Sequence, residues 1–201
     1  TLSLHDALPI SRCKYTDIQF IKTRLFRRRD SRCQDAAGSA ILESMENLNL
    51  GLIGLGMMGR EVASAVMRWG CLTDPDLDVR PRIVSICSRT LAEEDERLYR
   101  ENLPTVTQAT RDYREVLANP DVDAVYVAVP HHLHEQIYID CIRAGKHLFG
   151  EKPFGIDREA NVRILEEAAE HPDVFVRCVS QYYFAPAMTR MCGLIESGFF
   201  G

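Results

Sequence analysis

The chain has 201 residues, enough for one domain and part of another, with 46% hydrophobic and 26% charged residues as in ordinary globular proteins. A net charge of −5 argues against nucleic-acid binding, and no apolar run is long enough to span a bilayer. Seven cysteines occur without a CxxC pair, so we expect reduced thiols and a cytoplasmic protein. Cys87, Cys141 and Cys178 lie in apolar segments and are expected to be buried.

The first 44 residues lack the apolar periodicity of a folded domain. Residues 1–10, TLSLHDALPI, resemble the translation of a common sequencing adapter. We therefore expect residues 1–44 to be a non-native or disordered leader. The basic cluster at residues 24–29 is alternatively a targeting arm or a nucleic-acid patch. Met45 follows, and we interpret it as the start of the native sequence.

The stretch 50–66, LGLIGLGMMGREVASAV, joins a short apolar run to a glycine-rich turn and a helix. The turn has the form GxGxxG, and its glycines are Gly54, Gly56 and Gly59. In such a motif the first glycine permits a tight turn, the second lets a pyrophosphate approach the backbone, and the third lets the helix pack closely on the strand. Because helix N-termini bind anions, the pattern predicts a dinucleotide site that includes Met57 and Met58. A glycine-rich turn in some other α/β protein is the alternative.

The rest of the chain alternates predicted strands with predicted helices. Further strands are expected at residues 82–87, 105–107, 122–129, 147–149 and 174–179. Helices are expected at residues 58–69, 91–100, 112–118 and 133–144, and a fifth after Asp157 as N-cap. A polar loop is expected at residues 70–81. This alternation predicts an α/β fold with a doubly wound parallel sheet, the Rossmann architecture.

Three of these predicted helices carry apolar residues at recognisable positions. The charged helix 91–100 is expected to be exposed, apart from a few apolar points. The apolar positions are Leu91 and Leu98 in the second helix, Ile137, Cys141 and Ile142 in the fourth, and Val162, Leu165 and Ala169 in the fifth.

Three stretches of the chain read GLIGLGMMG at 51–59, DVDAVYVAVPHHLH at 121–134 and AGKHLFGEKP at 144–153. Together they resemble the glucose–fructose oxidoreductase / inositol dehydrogenase / MocA (Gfo/Idh/MocA) family. In that family a Rossmann domain precedes a mostly antiparallel α+β domain, and the usual reaction is hydride transfer between a nicotinamide dinucleotide and a sugar, polyol or related carbonyl compound.

The resemblance implies a Rossmann domain at residues 45–180 and the start of a truncated second domain at residues 181–201. We therefore expect a chain that binds a dinucleotide without completing catalysis. The full-length protein is expected to be a homo-oligomer that acts on a small-molecule substrate. A dinucleotide-binding regulator without catalysis is the alternative, against which the intact Lys152 of the EKP motif argues.

The resemblance implies a catalytic role for Lys152. The matching lysine of the family lies at the nicotinamide end of the cleft, where an ammonium can polarise a carbonyl oxygen and supply a proton. The bond to Pro153 can be trans or cis. The other residues expected to line the cofactor are Val129, Pro130, His131, His134 and Glu151. A lysine that faces solvent at a strand end is the alternative.

The residues after the second strand indicate which dinucleotide binds. NAD-specific sites place an acidic residue there to bind the ribose hydroxyls, but this chain has Cys87-Ser88-Arg89-Thr90. Ser88 can hydrogen-bond a 2′-phosphate and Arg89 can pair with it. We predict NADP(H) as the preferred cofactor and NAD(H) as the second choice; alternatively, Arg89 stacks on adenine or faces solvent.

The histidine-rich segment 131–134 raises the question of a metal site. No cluster of cysteines or carboxylates with matching spacing accompanies these histidines in the sequence. We therefore predict no metal.

Overall fold

The computed structural model describes residues 46–71, 79–180 and 185–200. The predicted leader, its basic cluster, Met45 and the middle of the predicted loop at 72–78 lie outside the described residues. The chain divides into two compact units, and the larger unit, Ala37–Val179, holds the whole sheet. In the smaller unit, helix α6 (Pro186–Glu196) begins with a proline, which is favoured in the first helical turn.

Six strands form one parallel sheet. They are β1 (Glu46–Ile53), β2 (Val79–Cys87), β3 (Gln108–Thr110), β4 (Ala124–Val127), β5 (His147–Gly150) and β6 (Val176–Cys178). Their order across the sheet is β3-β2-β1-β4-β5-β6, and every neighbouring pair is parallel. The chain changes direction across the sheet between β1 and β4, the switch point where doubly wound folds bind ligands. The predicted fold class is confirmed.

Five helices connect these strands. They are α1 (Met57–Arg68), α2 (Glu93–Asn102), α3 (Tyr113–Ala118), α4 (His134–Arg143) and α5 (Arg158–Glu170), with 3₁₀ turns at Trp69–Cys71 and His131–Leu133. Asp112 caps α3 and the predicted cap Asp157 caps α5, because each side chain accepts a hydrogen bond from a first-turn N–H group.

The core lies on both faces of the sheet. All four residues of β4 are buried, as expected for a central parallel strand covered on both sides. Because successive side chains of a strand point to opposite faces, Val125 and Val127 join one buried cluster while Ala124 and Tyr126 join the other. The apolar positions named for α4 (Ile137, Cys141 and Ile142) are buried in the first cluster.

The prediction of the third strand was wrong by three residues. Strand β3 spans Gln108–Thr110, whereas residues 105–107 were expected. Val106 closes a turn by donating its N–H to the Leu103 carbonyl at 2.9 Å. The chain therefore becomes parallel to β2 only where Gln108 pairs with Ser85. Strand β2 also begins earlier than predicted, since its first residue, Val79, lies inside the expected loop.

The buried positions of α5 are not the apolar ones that were named from its sequence. Val162, Leu165 and Ala169 are exposed, and the buried positions are Ala160, Ile164 and Glu167. Arg143 of α4 donates a 2.7 Å hydrogen bond to the Glu167 carboxylate. The small residue Ala160 and the ion-paired acid Glu167 therefore lie on the buried side of α5, together with Ile164.

Helix α2 is largely exposed, as its charged sequence predicts: Leu98 is 52% exposed, and the core contact is made by Tyr99, while Leu91 just before the helix is buried. One expectation about burial was wrong. Cys178 is exposed because it lies on the edge strand β6, while Cys87 and Cys141 are buried. Burial raises the pKa of the Cys87 thiol to about 12, with a smaller contribution from nearby carboxylates.

Candidate functional site

A cleft of about 170 Å³ opens at the carboxyl edge of the sheet. It is lined by Met57, Met58, Ala128, Val129, His131, Glu151 and Lys152. The two methionines begin α1, the next three residues follow β4, and the last two follow β5. Three separate segments meet here because β1, β4 and β5 are parallel and end at the same edge.

Two glycines of the turn before α1 are required by contacts inside the protein. Gly54 has φ +100°, and a Cβ there would lie 2.2 Å from the Ala128 carbonyl oxygen. A Cβ on Gly59 would lie 2.0 Å from the Gly54 carbonyl oxygen, so this glycine lets α1 approach the turn. Gly56 differs, since no described atom comes within 4 Å of a Cβ built on it. The space beside Gly56 is open to a ligand.

The N-terminus of α1 is suited to an anion. Gly56 is its extended N-cap residue, and no acidic side chain lies in the first turn. The first N–H groups of a helix have no partner within the helix and carry the positive end of its dipole. Met57, the first residue of α1, is 77% exposed and lines the cleft. These amides can bind a phosphate group.

The carboxylate of Glu151 is buried at the cleft, with the residue only 6% exposed. The Tyr126 hydroxyl donates to its Oε1, and the backbone N–H of Lys152 donates to its Oε2 at 3.2 Å. Burial raises the pKa of Tyr126, and the hydrogen bond to Glu151 raises it further. The Tyr126 hydroxyl therefore stays protonated and remains a donor to the carboxylate.

Lys152 presents its side chain at the same cleft. The residue is exposed and follows β5 directly after Glu151, and its bond to Pro153 is cis. The carboxylate of Glu151 holds the Lys152 backbone, so the segment that carries the ammonium is anchored to the sheet. An ammonium at this position can donate a proton or polarise an oxygen atom.

His134 lies beneath the cleft and does not line it. The ring is fully buried, with Nε2 3.0 Å from the Val129 carbonyl oxygen and Nδ1 2.7 Å from the Pro153 carbonyl oxygen. It therefore joins the segment after β4 to the segment after β5. A neutral imidazole has one N–H group and can donate to one of these carbonyls, whereas an imidazolium can donate to both.

Pro130 is exposed beside the cleft without lining it. Its carbonyl accepts a 2.9 Å hydrogen bond from the Leu133 N–H, which closes the 3₁₀ turn that presents His131. Val129 and His131, the residues on either side of Pro130, both line the cleft.

Ser88 and Arg89 follow β2 at this same edge of the sheet. Strand β2 ends at Cys87 as predicted, and the Cys87 carbonyl accepts a 2.8 Å hydrogen bond from the Gly54 N–H. Ser88 is half-buried, with its Oγ 3.4 Å from Thr90 Oγ1, and Arg89 is exposed. None of the ion pairs among the described residues involves Arg89. Its guanidinium can therefore receive an anion.

Sequence reasoning missed three residues: Ala128 and Tyr126 of this site, and the buried Tyr138, whose hydroxyl donates a 2.8 Å hydrogen bond to the Glu151 carbonyl. Ala128 has no chemical signal, since only its carbonyl matters. The two tyrosines carry a usable one, because a tyrosine inside an apolar segment needs a hydrogen-bond partner for its hydroxyl when buried. Across the described ranges, no helix has the length and apolarity to cross a bilayer, and no group of three or more potential ligands is placed to hold a metal ion.

Comparison with known proteins identifies the family. Residues 48–177 match the model of the GFO_IDH_MocA oxidoreductase family, which has an NAD-binding Rossmann fold. The chain is 33% identical over 159 residues to levoglucosan dehydrogenase from Pseudarthrobacter phenanthrenivorans, and this alignment covers 78% of this chain and 39% of that protein. It is 32% identical over 125 residues to D-xylose 1-dehydrogenase (NADP(+)) from Hypocrea jecorina, and this second alignment covers 62% of this chain and 32% of that protein.

A solved structure gives the same result. A levoglucosan dehydrogenase in complex with NADH superposes with a TM-score of 0.67 at 29% identity, over 76% of this chain and 40% of that one. This chain thus spans less than half the length of the relatives it matches. The family match covers the sheet and the cleft described above. The chain belongs to the Gfo/Idh/MocA oxidoreductase family, with its NAD-binding Rossmann fold.

Proposed function

We propose that this chain is the dinucleotide-binding part of an oxidoreductase that transfers a hydride between a nicotinamide dinucleotide and a sugar, polyol or related carbonyl compound. The observation that carries the proposal is the meeting of the N-terminus of α1 with Glu151 and Lys152 in one cleft. Two relatives are named as dehydrogenases of the sugars levoglucosan and D-xylose, which supports this substrate class.

The residues present fit a dinucleotide. The open space beside Gly56 and the exposed N-terminus of α1 suit a pyrophosphate. Backbone N–H groups of Met57 and Met58 would hold it. Further along the cleft, Val129, His131 and the adjoining Pro130 would line the cofactor. A bound nicotinamide ring supplies or accepts the hydride.

Lys152 would handle the proton of the reaction. During reduction its Nζ donates a proton to the substrate oxygen as that oxygen gains negative charge, and during oxidation it takes the proton from the substrate hydroxyl. The buried Glu151 carboxylate holds the Lys152 backbone during both steps. The exposure of Lys152 at the cleft favours an enzyme over a regulator that only senses the cofactor.

We propose that NADP(H) is the preferred cofactor, with NAD(H) second. Support comes from Arg89, which is exposed just beyond β2, and from the hydroxyls of Ser88 and Thr90 beside it. A guanidinium and hydroxyls suit a 2′-phosphate, while NAD-specific folds place a carboxylate here. The names and titles of the relatives include both cofactors, NADP(+) for the xylose dehydrogenase and NADH for the levoglucosan dehydrogenase complex.

A fluorescence titration tests the cofactor part of the proposal. The chain is titrated with NADPH and with NADH, and nicotinamide emission is followed. We expect both to bind, NADPH about tenfold more tightly, as for one added charge-assisted contact. Absence of binding by correctly folded chain contradicts the proposed function, and equal affinities contradict only the preference.

Turnover tests the catalytic part. We propose that this chain, which spans 39% of the length of levoglucosan dehydrogenase, binds the cofactor without completing the reaction. In the whole enzyme, Lys152→Ala should lower kcat by about 10²- to 10⁴-fold, as for loss of a general acid. Steady NADPH oxidation by the 201-residue chain with a panel of sugar ketones, or full activity of Lys152→Ala, would contradict this part.

A further inference from the structure

We propose that Tyr138 is a positioning residue for Lys152, and that it can act so because residue 150 is glycine. The Tyr138 hydroxyl donates a 2.8 Å hydrogen bond to the carbonyl of Glu151, the residue just before Lys152. The inference rests on the proposed role of Lys152 in proton transfer. It adds to that proposal a residue of α4 that does not line the cleft.

Tyr138 is also linked, through His134, to the residue on the other side of Lys152. Its hydroxyl oxygen lies 3.2 Å from Nδ1 of His134, and the same nitrogen lies 2.7 Å from the carbonyl oxygen of Pro153. The two neighbours of Lys152 are thus held, one directly and one through the imidazole, by two side chains one helical turn apart on α4. We call this pair, Tyr138 and His134, the α4 clamp.

The α4 clamp is rigid because it is buried and stacked. Both rings have 0% exposure, and their centroids lie 4.9 Å apart at an interplanar angle of 25°. The Tyr138 ring also packs against Phe154, with ring centroids 5.3 Å apart. Burial raises the pKa of Tyr138, so its hydroxyl keeps the proton that it donates to the Glu151 carbonyl.

The seat of the Tyr138 ring depends on Gly150, the last residue of β5. A Cβ at this position would lie 2.6 Å from Cζ and 2.8 Å from Oη of Tyr138. Any side chain here would push the ring and its hydroxyl away from the Glu151 carbonyl. The clamp can therefore be disturbed in two independent ways, by removing the Tyr138 hydroxyl or by placing a side chain at residue 150, where the ring packs.

The position of the clamp predicts a selective effect. The phosphate-binding turn belongs to β1 and α1, whereas the clamp holds the segment after β5. Loss of the clamp should therefore misplace Lys152 and leave the affinity for the dinucleotide nearly unchanged. A residue needed only for folding would instead reduce both together.

Chemical labelling of Lys152 tests this inference on the 201-residue chain. Acetic anhydride acetylates unprotonated amines, and peptide mass spectrometry gives the rate at Lys152, at several pH values, with and without saturating NADPH. The internal reference is Lys146, which does not line the cleft and whose Nζ donates 2.7 Å hydrogen bonds to the carbonyls of Asn119 and Val122. The variants are Tyr138→Phe and Gly150→Ala. The matched control is Tyr113→Phe, which removes a hydroxyl that donates a hydrogen bond to Asp140, a residue of α4 like Tyr138.

The expected result is a change at Lys152 in both clamp variants but not in the control. In the unmodified sequence NADPH should slow Lys152 acetylation. In Tyr138→Phe and Gly150→Ala this protection should fall about threefold or more, as for loss of one buried hydrogen bond, while NADPH affinity by fluorescence changes less than about twofold. If Tyr138→Phe does not fold, Gly150→Ala decides by the same readout.

Two outcomes distinguish a failure of the proposed role of Tyr138 from a failure of the proposed function. Unaltered protection and labelling ratios in the folded clamp variants would overturn the role of Tyr138 and leave the proposed function standing. If saturating NADPH does not protect Lys152 in the unmodified sequence, this contradicts the placement of Lys152 beside the cofactor. The proposed role of Tyr138 is then contradicted as well.

Discussion

The carbonyl oxygen of Ala128 lies 2.2 Å from the position that a Cβ on Gly54 would take. The turn after β1 therefore touches the end of β4 backbone to backbone. The N–H group of Ala128 also donates a 2.8 Å hydrogen bond to the Ile53 carbonyl. Two neighbouring strands are thus joined at the switch point of the sheet, which is where the cleft opens.

This contact predicts different outcomes for two glycines of the same turn. Gly54→Ala should destabilise the fold by about 3 kcal/mol or more, because the site combines a positive φ with a backbone clash. Gly56→Ala meets no described atom and should change the free energy of unfolding by less than about 1 kcal/mol, yet weaken NADPH binding about tenfold by blocking the phosphate. Urea unfolding and fluorescence titration measure the two effects. Unchanged NADPH affinity in Gly56→Ala would show that Gly56 does not face the phosphate.

Arg89→Ala should separate the two cofactors. We expect NADPH affinity to fall about tenfold to a hundredfold, since a charge-assisted hydrogen bond to the 2′-phosphate is lost, and NADH affinity to change little. The matched control is Arg97→Ala, which removes an exposed arginine of α2 that pairs with Glu101 at 3.8 Å. Equal losses for NADPH and NADH would assign Arg89 to another part of the cofactor.

Tyr126→Phe should cost about 1–3 kcal/mol of unfolding free energy, because it leaves the buried Glu151 carboxylate without its phenolic donor. Tyr113→Phe is the comparison: its hydroxyl bonds the partly exposed Asp140, where water can replace it. Chemical denaturation of both variants gives the difference. Similar small losses of unfolding free energy in the two variants would mean that the Glu151 carboxylate does not need the Tyr126 hydroxyl as a hydrogen-bond donor.

Two adjacent residues of α5 test which face of the helix is buried. Ile164 is fully buried and Leu165 is 51% exposed. Ile164→Ala should cost about 2–5 kcal/mol through the cavity it leaves, whereas Leu165→Ala should stay within about 0.5 kcal/mol. Thermal or urea unfolding distinguishes them. The reverse order would show that Leu165, and not Ile164, packs in the core.

Stability should decrease at alkaline pH. Burial raises the pKa of Cys87 to about 12 and also raises those of Tyr126 and Tyr138. In the unfolded chain thiols ionise near about pH 8.5 and phenols near about pH 10, so above these values the unfolded state binds fewer protons than the folded one. The free energy of unfolding therefore has its full value below about pH 8.5 and falls as pH rises toward 12.

Urea unfolding between pH 7 and 11 checks this dependence. Cys87→Ala should make the decline between about pH 8.5 and 10 shallower, since one of the buried thiols that titrate there is gone, while Cys141, whose pKa burial also raises, keeps its contribution. The exposed cysteine Cys192 provides the control, because Cys192→Ala should leave the slope unaltered. A free energy of unfolding that is constant up to pH 11 would show that the buried thiol and phenols do not couple to folding.

The sequence by itself determined the order and type of the elements and the place of the candidate site. Apolar runs and glycine turns are local patterns, so the Rossmann order of strands and helices could be predicted from them. The GxGxxG spacing and the EKP motif placed Gly56 and Lys152 at strand ends, and parallel strands bring such ends together without further information. The end of β2 at Cys87 was predicted in the same way.

Only the tertiary structure decided which partner each side chain meets. The burial of Ile164 in place of Leu165 depends on packing against α4, and that of His134 on carbonyls from two separate segments. The seat of Tyr138 over Gly150 likewise joins residues of different elements. Such contacts arise when the chain folds back on itself, and they depend on distances between atoms that are remote in sequence. A local pattern of residue types carries no record of those distances, whereas the strand and helix periods are written along the chain itself.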